Sequence, residues 1–150
     1  MKFELPDEAA TLALGAGLAQ VLLQRGHGVV FLHGDLGAGK TTLARGLLRA
    51  AGIGGTLRSP TYTLMEPYAA GQQNFLHLDL YRLADPSEVE ELGLIDYSPE
   101  SCIWLVEWPE QGEGYLPAPD IEVFLSHQGE HRLATIESAV GGTIDIKLIV

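Results

Sequence analysis

Apolar residues recur along this chain in two rhythms. After a short extended stretch at Lys2 to Leu5, Pro6 and Asp7 open a segment in which Leu12, Leu14, Leu18, Val21 and Leu22 keep helical spacing until Gly26. That spacing predicts an amphipathic helix. Val29 to Leu32 is a continuous apolar run, too short for a helix and typical of a strand covered on both faces. Beyond a glycine-rich turn, Leu43, Leu47 and Leu48, with Arg45 and Arg49 on other faces, predict a second helix from Lys40 to a point before Gly52. From Phe75 to Tyr81 the rhythm changes to two: Phe75, His77, Asp79 and Tyr81 alternate with Leu76, Leu78 and Leu80, predicting a strand with one polar side.

Asp85-Pro86-Ser87-Glu88 reads as the start of a short helix, with Asp85 as N-cap, Pro86 at the first position and Glu88 reaching back. Cys102 to Val106 is another buried strand, stopped at Glu107-Trp108-Pro109, and Gly112 to Pro119 is loop. Ile121 to Leu125, Arg132 to Ile136 and Thr143 to Ile149, separated by Gln128-Gly129 and Gly141-Gly142, predict antiparallel strands added to the sheet near the C-terminus. Strand, glycine loop and helix in that order are the first half of a three-layer α/β domain with a mostly parallel central sheet. One domain over residues 1–150 is the expectation, with no repeat or linker.

Composition narrows the function classes. Cys102 is the single cysteine and lies in an apolar run, so it reads as a buried hydrophobe in a reducing compartment, and no structural zinc site is available to it. The first residues lack a basic segment followed by a long apolar one, and no window reaches the ~18 apolar residues of a membrane span, so a soluble, cytoplasmic protein is expected. A formal charge of -11 argues against tight direct binding of nucleic acid by this chain alone.

The chemistry concentrates in Gly34-Asp35-Leu36-Gly37-Ala38-Gly39-Lys40-Thr41, which matches the phosphate-binding loop and falls between a predicted strand and a predicted helix. Glycines let successive N–H groups converge on phosphate oxygens, and the helix directs its positive end at the same charge. Lys40 is expected to hold the β- and γ-phosphates of ATP, Thr41 to ligate Mg²⁺, and Thr42 to contact the α-phosphate. Phosphoryl transfer to water also needs a carboxylate for the metal and a group that orients the water, at the ends of neighbouring strands. Asp79 and Glu107 are the candidates; an apolar strand ending in an acid favours Glu107 beside metal or water. Thr61, in Ser59-Pro60-Thr61-Tyr62-Thr63, is the candidate hydroxyl of a loop that senses the γ-phosphate and metal. Trp108 and Tyr81 sit beside strand ends, where aromatics serve either the core or a nucleotide. His33 and His77 read as structural.

Several segments together resemble the bacterial TsaE (YjeE) ATPases of the tRNA threonylcarbamoyladenosine pathway. The resemblance runs through Gly34 to Thr42, then Ser59-Pro60-Thr61-Tyr62-Thr63-Leu64, then His77-Leu78-Asp79-Leu80-Tyr81-Arg82, then Glu107-Trp108-Pro109-Glu110. It implies a protein that binds ATP and Mg²⁺ and hydrolyses ATP to support turnover of the paired TsaB and TsaD subunits, meeting tRNA only indirectly through that complex. It gives Thr61 support as a switch residue, makes Asp79 and Glu107 the metal and water-activating acids, and sets Trp108 near the nucleotide. Nothing functional is carried onto the strands after Pro119.

Other readings have their own requirements. A GTPase needs an Asn-Lys-x-Asp element, and the only asparagine is Asn74, in Gln73-Asn74-Phe75. A small-molecule kinase shares the loop but closes an arginine-rich lid over the phosphate, and after Arg58 only Arg82 and Arg132 remain. A nucleotide-gated interaction module is the third reading.

Overall fold

A computed structural model describes residues 1–138; the strand expected over Thr143 to Ile149 lies outside them. In chain order the main elements are β1 (Lys2–Leu5), α1 (Glu8–Arg25), β2 (Gly28–His33), α2 (Lys40–Ala50), β3 (Met65–Ala70), β4 (Gln73–Asp79), β5 (Cys102–Glu107), β6 (Ile121–Gln128) and β7 (His131–Ser138). They form a seven-stranded sheet in the order β1-β7-β6-β2-β5-β4-β3. Its centre is parallel, with β2 flanked by β5 and β6 and β4 running beside β5. Its margins are antiparallel: β3 against β4, β7 against β6 and β1 against β7. The α/β architecture and mostly parallel centre agree with the sequence reading.

Both α-helices cover one face. Asp7 caps α1 by accepting from the Ala10 N–H at 2.9 Å, and Gly26 ends it in the left-handed conformation. Leu14, Leu18 and Leu22 of α1 and Leu43, Leu47 and Leu48 of α2 pack on Val30, Leu32, Phe75, Ile103 and Leu105 of the central strands. The two helices touch backbone to backbone: a Cβ on Gly15 would lie 2.2 Å from the Leu43 carbonyl oxygen, and one on Gly46 2.4 Å from that of Leu12. No side chain fits either position without separating the helices.

The opposite face has a thinner cover. Leu76, Leu78, Trp104 and Val106 pack there under 3-10 segments at 86–92 and 94–96 and the chain around Leu116, with no α-helix in that layer among the described residues. Asp85 caps the first of these segments, accepting from Ser87 N–H at 2.8 Å and Ser87 Oγ–H at 2.6 Å, and the short helix expected there is a 3-10 helix. The strand β3 was not anticipated. It carries Pro67 and lacks clean alternation, both tolerated because β3 is the outermost strand and needs one edge only.

Register fixes what shares a row. On the helix-covered face, Leu32, Glu107 and Asp79 are level at the carboxyl ends of β2, β5 and β4; Val30, Leu105 and His77 form the row beneath. The strand at β4 ends at Asp79, leaving Tyr81 in the following turn. Its polar side is buried: Phe75, His77 and Asp79 are all covered, because α2 lies over that side as well.

Candidate functional site

β2 delivers the chain into Gly34 at the carboxyl edge of the sheet, and α2 begins at Lys40. Gly34, Gly37 and Gly39 have φ of 154°, 77° and 108°. At Gly34 the glycine is required twice, since a Cβ would also meet the Leu125 carbonyl oxygen at 2.7 Å. The loop so formed opens a cleft of about 370 Å³ lined by Leu36, Gly37, Gly39, Lys40, Thr41, Thr42, Thr61, Asp79, Glu107 and Trp108 among others. Gly34, Asp35 and Ala38 belong to the same loop behind that lining, and the Ala38 N–H bonds the Asp35 carbonyl at 3.1 Å.

Lys40 is 5% exposed. Its Nζ donates to the carbonyl of Gly34 and, at 2.9 Å, to that of Asp35, and it stands 4.3 Å from the centre of the Trp108 ring. Burial lowers the affinity of this ammonium for its proton, while the charges of Glu107 and Asp79 act in the opposite sense. Among the described residues Trp108 is one of two non-glycine residues with positive φ, at 56°, and this turn after β5 brings the indole beside Lys40. Tyr81 packs on the same indole with ring centres 4.9 Å apart.

Glu107, 2% exposed, accepts from the Thr41 hydroxyl through Oε1 at 2.8 Å and bonds His77 Nε2 through Oε2 at 2.7 Å. Asp79, one strand away, accepts the Tyr81 N–H through Oδ1 at 3.1 Å. Burial raises the Asp79 carboxyl above the ordinary carboxylate value, against the opposing effect of the Tyr81 hydrogen bond. Thr61 lines the cleft from the far wall, with its hydroxyl 2.6 Å from Ser59 Oγ. A hydroxyl and one or two carboxylates beside a glycine-rich loop are hard oxygen donors of the kind that suit Mg²⁺, which binds through few protein ligands. Among the described residues no three His, Cys, Asp or Glu side chains gather into a metal cage.

Four contributors went unread in the sequence. Arg132 of β7 donates through Nη2 to the Gly37 carbonyl at 2.9 Å, and its buried Nε has no hydrogen-bond partner among the described residues. Glu8 and the buried Thr11 enter the cleft from the first turn of α1. Arg82 also lines it, with its guanidinium 4.5 Å from the Tyr62 ring centre. The two arginines counted against a lid are therefore both at the cleft. Of the histidines, His77 bonds Glu107, whereas His33 lies elsewhere, stacked on Phe124 and 2.7 Å from Glu122. The signal for His77 was its place two residues before Asp79 on the same strand side.

A family model described as threonylcarbamoyl adenosine biosynthesis protein TsaE matches residues 5–134. The chain belongs to the TsaE family. A TsaE of Haemophilus influenzae, described as a tRNA threonylcarbamoyladenosine biosynthesis protein, is 46% identical over 131 residues, covering 85% of this chain and 83% of its own. The TsaE of Bacillus subtilis, with the same description, is 36% identical over 118 residues, covering 79% and 73%. The crystal structure of Bacillus subtilis YdiB superposes with a TM-score of 0.76 at 28% identity, over 93% of this chain and 86% of that one. The TsaE match spans every element from the end of β1 into β7, including the cleft. Among the described residues no helix is long and apolar enough to cross a membrane.

Proposed function

We propose that this chain binds ATP with Mg²⁺ and hydrolyses it as the TsaE component of tRNA threonylcarbamoyladenosine biosynthesis. The observation that carries the reading is the meeting of Lys40, Thr41 and Glu107 at one loop, within hydrogen-bond distance of one another or of the loop backbone. The N–H groups of Gly37 to Thr41 and the start of α2 receive the phosphates. Lys40 exchanges its two backbone carbonyls for β- and γ-phosphate oxygens, and Thr42 serves the α-phosphate. Thr41 and Glu107 would hold Mg²⁺, and Asp79 would orient water or support the metal from the next strand, with Thr61 on the loop opposite. When bound, Mg²⁺ neutralises charge that develops on the phosphate oxygens. Trp108, with Tyr81 behind it, walls the cleft and limits water.

The family name of the relatives supports the pathway, and the partners proposed are TsaB and TsaD, with tRNA met only through them, in the cytoplasm. Hydrolysis is weak in isolation, because a partner completes the site. The deciding experiment is ATP hydrolysis by the purified chain with and without TsaB and TsaD, with Lys40→Ala as control. Stimulation that vanishes in Lys40→Ala supports the partnered ATPase. Unstimulated turnover with transfer to small acceptors would establish the kinase alternative. ATP-dependent docking that survives Glu107→Ala would establish an interaction module.

A further inference from the structure

Across the central strands β2, β5 and β4, the row beneath the two acids contains one polar side chain. Val30 and Leu105 are apolar there, and β4 contributes His77, 3% exposed. An apolar residue would match Phe75, Leu105 and the other neighbours of that face without the cost of burying an imidazole. The ring instead makes one specific contact, Nε2 to Glu107 Oε2 at 2.7 Å. The other oxygen of the same carboxylate takes the Thr41 hydroxyl at 2.8 Å. Each oxygen of Glu107 thus has its own partner, one toward the core and one toward the cleft.

A glutamate carboxylate rotates almost freely about its last torsion, so the strand alone does not fix where the cleft-facing oxygen points. An ionised carboxylate only accepts hydrogen bonds, which puts the shared proton on His77 Nε2. The bond anchors one oxygen and thereby orients the other. We propose that His77 is a positioning residue for Mg²⁺ bound with nucleotide: it holds Glu107 so that Oε1 stays at Thr41. The inference rests on the reading of Thr41 and Glu107 as the magnesium ligands. His77 does not line the cleft and acts only through Glu107. It also borders a separate cavity of about 90 Å³, with Arg45, Leu57, Ser59 and Tyr68, which gives room for a side chain of different shape.

The test is calorimetric titration of a non-hydrolysable ATP analogue, in Mg²⁺ and in EDTA, on the wild-type chain and on His77→Leu, His77→Gln and His77→Asn. The quantity read is the gain in affinity that Mg²⁺ gives. His77→Leu is expected to lose about ten- to hundred-fold of that gain, the usual effect of removing a partner of a metal ligand, with affinity in EDTA unchanged. His77→Gln, whose amide N–H reaches the position of Nε2, restores most of it; His77→Asn, which is too short, does not. Should the leucine variant fail to fold in a urea titration, the glutamine and asparagine variants decide between them. A wild-type gain in His77→Leu or His77→Asn, or equal losses with and without Mg²⁺, overturns the role and leaves His77 a packing residue. A wild-type chain that binds the analogue with no Mg²⁺ gain, or not at all, overturns the magnesium reading itself.

Discussion

The same strands are apolar at one end and ionisable at the other. Along the helix-covered side, β4 runs Phe75, His77, Asp79 and β5 runs Ile103, Leu105, Glu107, all buried. Burial at the amino end is favourable in itself, and between the two ends the helices close until their backbones meet at Gly15 and Gly46. At the carboxyl end burial opposes the charges, and each ionisable group has been given a partner: Lys40 the loop carbonyls, Glu107 the hydroxyl of Thr41 and the ring of His77, Asp79 the Tyr81 N–H. One end of the column is built for stability and the other is held in place by it.

Four substitutions sharpen this contrast. Phe75→Ala, at a fully buried position of the apolar end, is expected to cost about 3–5 kcal/mol, read as a lower urea midpoint with unchanged slope. Gly46→Ala forces a methyl group against the Leu12 backbone and is expected to cost about 3 kcal/mol, the upper end of ordinary overpacking, despite the gain in helix propensity. A Gly46→Ala chain as stable as wild type would break the account of the helix contact. At the polar end the effects move from stability to binding. Lys40→Ala leaves the urea midpoint near or above that of wild type, since it removes a buried ammonium, yet weakens ATP binding by about 1.5–3 kcal/mol in titration calorimetry.

Asp79→Asn carries the smallest effect and a definite sign. Because burial raises the folded-state pKa of Asp79, the folded chain holds that proton more tightly than the unfolded one, and stability falls as pH rises through the folded value. At neutral pH the ionised carboxylate therefore opposes folding. The asparagine variant should be more stable than wild type at pH 7 without Mg²⁺, and the difference should shrink as pH falls below the raised pKa. Urea melts across that range check it, and a variant less stable at pH 7 contradicts the cause assigned to the shift.

Legibility in the sequence followed locality. The glycine-rich turn before α2, α1, α2 and the buried strands were readable because each declares itself within a few residues, through period, glycine or capping. Asp79 and Glu107 were readable as acids at strand ends, although the sequence could not show that Glu107 bonds Thr41 while Asp79 turns to Tyr81. Arg132 and Thr11 were not, because they come from opposite ends of the chain and reach the cleft only once β7 pairs with β1 and β6 and α1 folds onto α2. β3 went unseen because an outermost strand with Pro67 lacks the alternation that half-burial imposes. The thin layer of 3-10 turns lacked the long apolar period that announces a helix.

The two tryptophans occupy opposite settings. Trp104 is buried on the face remote from the cleft, and Trp108 is half-buried at its wall with a cation 4.3 Å from the ring. A charge at that distance shifts and quenches indole emission. On the proposed reading, departure of Lys40 toward a phosphate would change the light from Trp108 and leave that of Trp104 constant, giving an optical signal for occupancy of the loop and an internal standard against which to read it.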